Sequence, residues 1–355
     1  MRSILLFCAP LLLMLMSCET TPVTPPVEGG SVVAAKGVYI LHEGNFGDPS
    51  GARLAMYDIA RDTVSLDVVE KANAGQHLGS TGDDMVVFRD QLYILMSGSE
   101  NIVVLSTTDN HIVRSVYYPG RTPHSMVLDS VRGRLYVTEL YRNAVAAIDL
   151  ATMNVVDTIA VGSNPQDMLL DGDVLYVCNS GYGADRTVSV LSVAPLAKTK
   201  TLTIGAGPTG ITRAGDGSIV VACTGNPYSV PAIPGSLYRI DASARTVKDS
   251  LILTEPLWGT VSAGTNGDVY CLGVTAGSYY GGPVHRFLLS SRTLSSAVVP
   301  GTFYAMTVDA ASGDVYLADA KSFASQGEVR ILNASLVQKR TLQVGRGPAV
   351  FAFKR

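Results

Sequence analysis

Five stretches of the chain repeat one design: PHSMVLDSVRGRLYVTE, PQDMLLDGDVLYVCNS, PTGITRAGDGSIVVACTG, WGTVSAGTNGDVYCLG and FYAMTVDAASGDVYLADA. Each holds a short apolar strand, a turn built on Gly with Asp, Asn or Arg, and a second strand. Further pairs follow, such as AVAAIDL then NVVDTIAV, so each unit reads as four short strands separated by turn signals. With the first strand as ruler, equivalent positions fall at Met85, Met126, Met168, Ile211, Val261, Met306 and Phe351, spaced by 41, 42, 43, 50, 45 and 45 residues. A four-stranded period in the forties specifies the blades of a β-propeller.

The two ends complete each other. AVFAFK at the C-terminus is a first strand without successors, while VYILHE (38–43), RLAMYD (53–58) and TVSLDVV (63–69) read as strands two, three and four of a blade. Joining them predicts an all-β, seven-bladed ring of four-stranded antiparallel blades, closed by the C-terminal strand beside N-terminal ones. A closed ring leaves no exposed terminal sheet. Residues 37–355 are assigned to this domain. Residues 1–17, with Arg2 before an apolar core too short to span a bilayer, read as a secretory signal. Residues 18–36 then carry Cys18 and a flexible, proline-spaced tether.

Propeller topology puts the 2–3 loops and the interblade loops on one face. These are the longer loops, and they hold most of the aromatic and amide side chains. The candidate ligand-binding residues there are Asn45, Phe46, Tyr141, Arg142, Asn143, Asn179, Tyr182, Asn226, Tyr228, Trp258, Tyr279, Tyr280, Tyr304 and Phe323. Aromatic tips give contact area at low entropy cost, and polar neighbours fix orientation. The competing reading is that some of these rings plug the funnel or cover blade edges.

Other chemistries have weaker signals. The chain carries 27 basic and 30 acidic side chains, with no basic run, which argues against nucleic acid as a partner. Neither GxSxG nor HExxH occurs, and GAGPTG lacks the helix that a phosphate cradle needs, so no catalysis is expected. His42, His77 and His124 lie toward the loop-rich face but come from different blades, and no metal site is assigned. Glu43, Asp48, Asp83, Asp84, Glu139, Asp167, Asp185 and Glu255 are expected to hydrogen-bond crowded turns or touch a ligand. Cys178, Cys223 and Cys271, widely spaced and within apolar strands, are expected to be free and buried.

RGRLYVTELYRNAVAAIDLATMNVVDTIAVGSNPQDM resembles the repeat of YVTN-type seven-bladed propellers, with Glu139 where Asn is usual and, in the next blade, Cys178 where Thr is usual. Leu15-Met16-Ser17-Cys18 resembles a lipobox, which implies lipidation of Cys18 and an outer-membrane, surface-exposed lipoprotein held through its lipid anchor. A lipidated propeller of this size is similar to the cobalamin-binding surface lipoproteins of gut Bacteroidota. That resemblance implies non-catalytic capture of cobalamin or a related corrinoid on the loop-rich face, without a catalytic cofactor, and delivery to a TonB-dependent cobalamin transporter. The alternatives of the same fold are a scaffold binding a glycan or a protein, and a lactonase-like or quinone-dependent enzyme.

Overall fold

The ring is set by where each strand of a blade buries its side chains. Second strands are buried on both faces, as in Gln91–Met96, Arg134–Glu139 and Val174–Asn179. Fourth strands alternate toward solvent: Ile112–Tyr117 and Val155–Ala160 bury almost nothing, and Gln338–Gln343 keeps only Leu342 inside. Lys198, Lys200, Lys248 and Lys339 sit on such outer strands, where charge discourages edge-to-edge pairing.

A computed structural model of the chain describes residues 33–44, 48, 50–278 and 281–355. It contains seven antiparallel sheets, one per blade, and the first strands contain all seven ruler residues. Blade 1 is closed as expected: Pro348–Lys354 pairs antiparallel with Gly37–His42, Tyr39 opposite Ala352 and Ile40 opposite Phe351. There is no single central core. Seven hydrophobic clusters each join one blade to the next, and the cluster of Val38, Ile40, Tyr316, Val329 and Ile331 welds blade 7 to blade 1. Cys178, Cys223 and Cys271 are free and buried within these interfaces.

Two blades depart from the expected pattern. The segment 63–69 is not one strand: Thr63–Ser65 ends early, Asp67 takes a left-handed backbone conformation (φ 52°), and Val68–Ala72 is helical. Val68 and Val69 thereby turn into the blade 1–2 interface instead of continuing the sheet. In blade 6 the fourth strand is only Thr293–Leu294, and Val299–Phe303 returns to pair with Gly282–Leu288. The backbone groups that a longer fourth strand would satisfy are served by this return.

Candidate acid–base site in the central funnel

The two residues preceding each ruler position form two tiers around the funnel. Chain order gives Asp83-Asp84, His124-Ser125, Gln166-Asp167, Thr209-Gly210, Gly259-Thr260, Tyr304-Ala305 and Ala349-Val350. Glu43, leaving the second strand of blade 1, and Trp258 complete a cavity of about 560 Å³. That volume suits a small organic ligand. One wall, from blades 2 to 4, is polar and ionisable, and the wall from blades 6 and 7 is aromatic or small.

His124 is the centre of the polar wall. Its Nδ1 lies 3.3 Å from Asp83 Oδ1, and its Nε2 lies 3.0 Å from Gln166 Oε1. With an acceptor at each nitrogen the ring is held as an imidazolium. Burial works against that charge, but the Asp83 carboxylate, the Gln166 carbonyl and Asp84 outweigh it and raise the pKa to about 9. Asp83 is itself fixed by the Ser97 amide, which donates to Oδ2 at 3.2 Å.

Asp84 and Asp167 are tied into the ring rather than aimed at a ligand. Asp84 Oδ1 accepts from the Met85 amide (2.8 Å), and its Oδ2 accepts from the Met126 amide (2.7 Å) and Ser125 Oγ (3.1 Å) of the next blade. Asp167 repeats this toward blade 5, accepting from the Met168 and Ile211 amides. Burial raises Asp84 to about 6, and burial plus the Asp84 charge raises Asp167 to about 7.

Across the funnel, Tyr304 donates its hydroxyl to Glu43 Oε2 at 2.7 Å. Burial raises the Glu43 pKa, offset in part by this hydrogen bond. Burial and the Glu43 charge likewise push the Tyr304 phenol far up. The Tyr304 ring meets Trp258 at 5.7 Å and takes Phe323 edge-on at 5.1 Å, and Trp258 Nε1 donates to the Tyr304 carbonyl at 2.7 Å. Phe323 ends a turn in which Lys321, Ser322 and Phe323 all have positive φ (48°, 54° and 58°). Blade 4 makes a similar turn with Gly181-Tyr182-Gly183, where glycine removes most of the strain. Ser322→Gly is therefore expected to raise unfolding stability by about 0.5–1 kcal/mol, measured by denaturant titration; a loss of stability would refute strain at this turn.

The remaining described candidates do not join Trp258 and Tyr304 in the cavity lining. Tyr141 and Tyr182 are 65% and 60% exposed on neighbouring blades, their hydroxyls 3.3 Å apart, and Tyr228 is 85% exposed. Arg142 pairs with buried Glu139, which also holds Arg121, and Asn143 accepts from the Asn164 amide. Asn179 is a correction: it is fully buried, with its side chain engaged by the Gly162 amide, Thr187 and Ser189. Asn226 accepts from the Tyr228 amide of its own loop and donates its Nδ2 to the Gly183 carbonyl of blade 4 at 3.4 Å. Asn45, Phe46, Tyr279, Tyr280 and Cys18 lie outside the described residues.

The histidines also separate. His42 is buried, receives the Gly345 amide at Nε2 and faces the Arg53 carbonyl, and burial lowers its pKa to about 4. His77 pairs with Glu70. Among the described residues no group of three or more His, Cys, Asp or Glu side chains is placed to hold a metal ion. Glu43, Asp83, His124 and Gln166 line the funnel but are not among the ligand-binding candidates chosen from loop composition. The signal that finds them is their position, one or two residues before a ruler residue or at the end of a second strand.

Residues 36–343 match the family described as Domain of unknown function (DUF5074). The chain belongs to this family. No curated protein matches it. Among solved structures, the DUF5074 chain is similar to a quinoprotein alcohol dehydrogenase-like protein from Bacteroides thetaiotaomicron, with a TM-score of 0.69 and 14% identity over 90% of this chain and 78% of the other. A streptogramin B lyase gives a TM-score of 0.60 and 11% identity over 89% and 92% of the two chains. A catalytically inactive virginiamycin B lyase from Staphylococcus aureus, solved with quinupristin, gives 0.58 and 12% over 77% and 92%. Identities this low show the fold alone. The expectation of a non-catalytic corrinoid-capture protein is corrected to this extent: the three similar propellers bear the names of lyases and of a dehydrogenase-like protein, and none bears that of a corrinoid carrier. The funnel lining includes four acids, the His124 imidazolium and the Tyr304 phenol.

Proposed function

We propose that this chain is an enzyme that cleaves a C–O bond in a small carbonyl compound, such as a lactone or other ester, by general acid–base catalysis in the propeller funnel. The observation that carries the reading is an imidazolium, His124, held between Asp83 and Gln166 in the same cavity as the Tyr304-bound Glu43 carboxylate. The two groups are near enough that the His124 charge lowers the Glu43 pKa. Perturbed titratable groups gathered in one cleft are the usual mark of such a site.

Glu43 is the base. Burial makes it more basic than an ordinary carboxylate, and it takes a proton from water in hydrolysis or from a carbon beside the carbonyl in elimination. His124 is the acid: the substrate oxygen replaces Gln166 at Nε2 and receives the proton as the C–O bond breaks. Solvent then restores both protonation states. A quinone-dependent oxidation fits less well, because a carboxylate-bearing quinone would meet Glu43, Asp83, Asp84 and Asp167 with no Lys or Arg in the lining. The lipid anchor at Cys18 is kept as part of the proposal and would tether the enzyme to a membrane.

The test is a pH profile of turnover on a panel of lactones and aryl esters. Activity is expected to rise through the raised pKa of Glu43 and fall near pH 9 as His124 loses its proton. Glu43→Gln should remove the acid limb together with most of the rate. A profile without either limb, or a Glu43→Gln variant as fast as the parent, would end this reading.

A further inference from the structure

Beside its aromatic wall the funnel carries only small tier residues, Thr209-Gly210 and Gly259-Thr260. Blades 5 and 6 contribute Gly210 and Gly259 to the tiers, and a Cβ on Gly210 would come within 2.0 Å of the Gly259 carbonyl oxygen. Gly259 also has φ +102°, which L side chains rarely adopt. The two backbones touch, so neither position has room for a side chain, and the tier beside Trp258 stays small for a reason of packing.

Trp258 lines the cavity with these small residues. Its only polar atom, Nε1, is spent on the Tyr304 carbonyl, and its ring is braced against the Tyr304 ring. What it offers the cavity is therefore an apolar face of fixed orientation. The floor beside it is Val261 and Met306, whereas Asp83 and His124 are on the polar wall. A ligand matching both walls has a flat apolar body at one end and a polar reacting group at the other.

We propose that the funnel selects substrates carrying an aryl group, seated on Trp258 beside the small tier residues of blades 5 and 6, with the carbonyl end toward His124. The direction of the reacting end rests on the acid–base reading above, while the seat itself rests on the Trp258 geometry. Trp258 is thus a specificity-determining residue.

The chain has a single tryptophan, so its emission reports this seat directly. Two probes differ only by a fused benzene ring: dihydrocoumarin and δ-valerolactone. Dihydrocoumarin is expected to change the emission saturably and to bind at least tenfold tighter by calorimetry. Trp258→Leu should erase that preference, bringing dihydrocoumarin affinity down to that of δ-valerolactone, and Trp258→Phe should keep most of it. Equal binding of the two probes, binding of neither, or a preference that survives in a folded Trp258→Leu protein would overturn the seat. Failure of the two readings is separable. Dihydrocoumarin seated on Trp258 without His124-dependent turnover removes the acid–base reading and leaves the seat. His124-dependent turnover of both lactones alike removes the seat and leaves the acid–base reading.

Discussion

Replacing His124 with Gln is expected to lower kcat/KM by about 10²- to 10⁴-fold, the range that a positioned general acid supplies. Gln retains hydrogen-bonding capacity toward Asp83 and Gln166, so the fold should persist and circular dichroism should be unchanged. What disappears is the proton at Nε2 and, among the described lining residues, the positive charge that faces the acids. Asp83→Asn makes the complementary case. The Asp83 carboxylate is the chief reason that His124 titrates near 9 against the pull of burial. Without it, burial dominates and the basic limb of the rate profile should move down in pH, with a smaller loss of maximal rate than in His124→Gln. Measured together, a shifted limb in Asp83→Asn and a lost rate in His124→Gln identify an acid and its orienting partner. Rates within threefold of the parent in a folded His124→Gln protein would show that His124 does no proton transfer.

The ring was legible because a propeller must repeat itself, and the unfinished blades at the two ends show how it closes. Local exceptions were not legible. Val68 and Val69 carry the same β-branched signal whether they extend a strand or turn into the blade 1–2 interface, and the left-handed Asp67 that decides between them has no unique sequence mark. The site was hidden for a different reason. Its side chains come from blades some forty residues apart, and none is remarkable within its own segment: Asp83, His124, Gln166 and Tyr304 acquire meaning only when superposed by the period. Weighting loop aromatics selected Trp258, Tyr304 and Phe323, which face or brace the funnel. It equally selected Tyr141, Tyr182 and Tyr228, which stand at exposed loop tips. Asn179 looked like a ligand because it ends a strand at the loop-rich face, yet its amide is consumed in stitching that strand end.

Asp84→Asn tests the division between acids that react and acids that hold the ring. The carboxylate accepts three hydrogen bonds, two of them from the next blade. An Asn side chain turns one acceptor into an NH₂, which then faces an amide N–H in a buried site. A loss of about 2 kcal/mol at pH 7 is expected, within the range for leaving a buried polar group unsatisfied. The pH dependence has a definite sign. Asp84 at about 6 and Asp167 at about 7 both lie above their unfolded values, so the native state binds more protons than the unfolded chain between roughly pH 4 and 7. Their stabilising contribution is complete below that window and declines as pH rises through it. His124, raised to about 9, adds a contribution that is full below about 6.5 and lost as pH passes 9. The parent protein should therefore lose stability from these groups on going from pH 4.5 to pH 9. In Asp84→Asn the like charge on Asp167 is gone and its pKa falls, so the decline between pH 4.5 and 7 flattens, and the gap to the parent is widest at pH 4.5. Thermal unfolding at pH 4.5, 7 and 9 reads both quantities. An Asp84→Asn protein as stable as the parent at pH 4.5 would place Asp84 outside the framework, as a carboxylate free to serve the chemistry of the funnel instead.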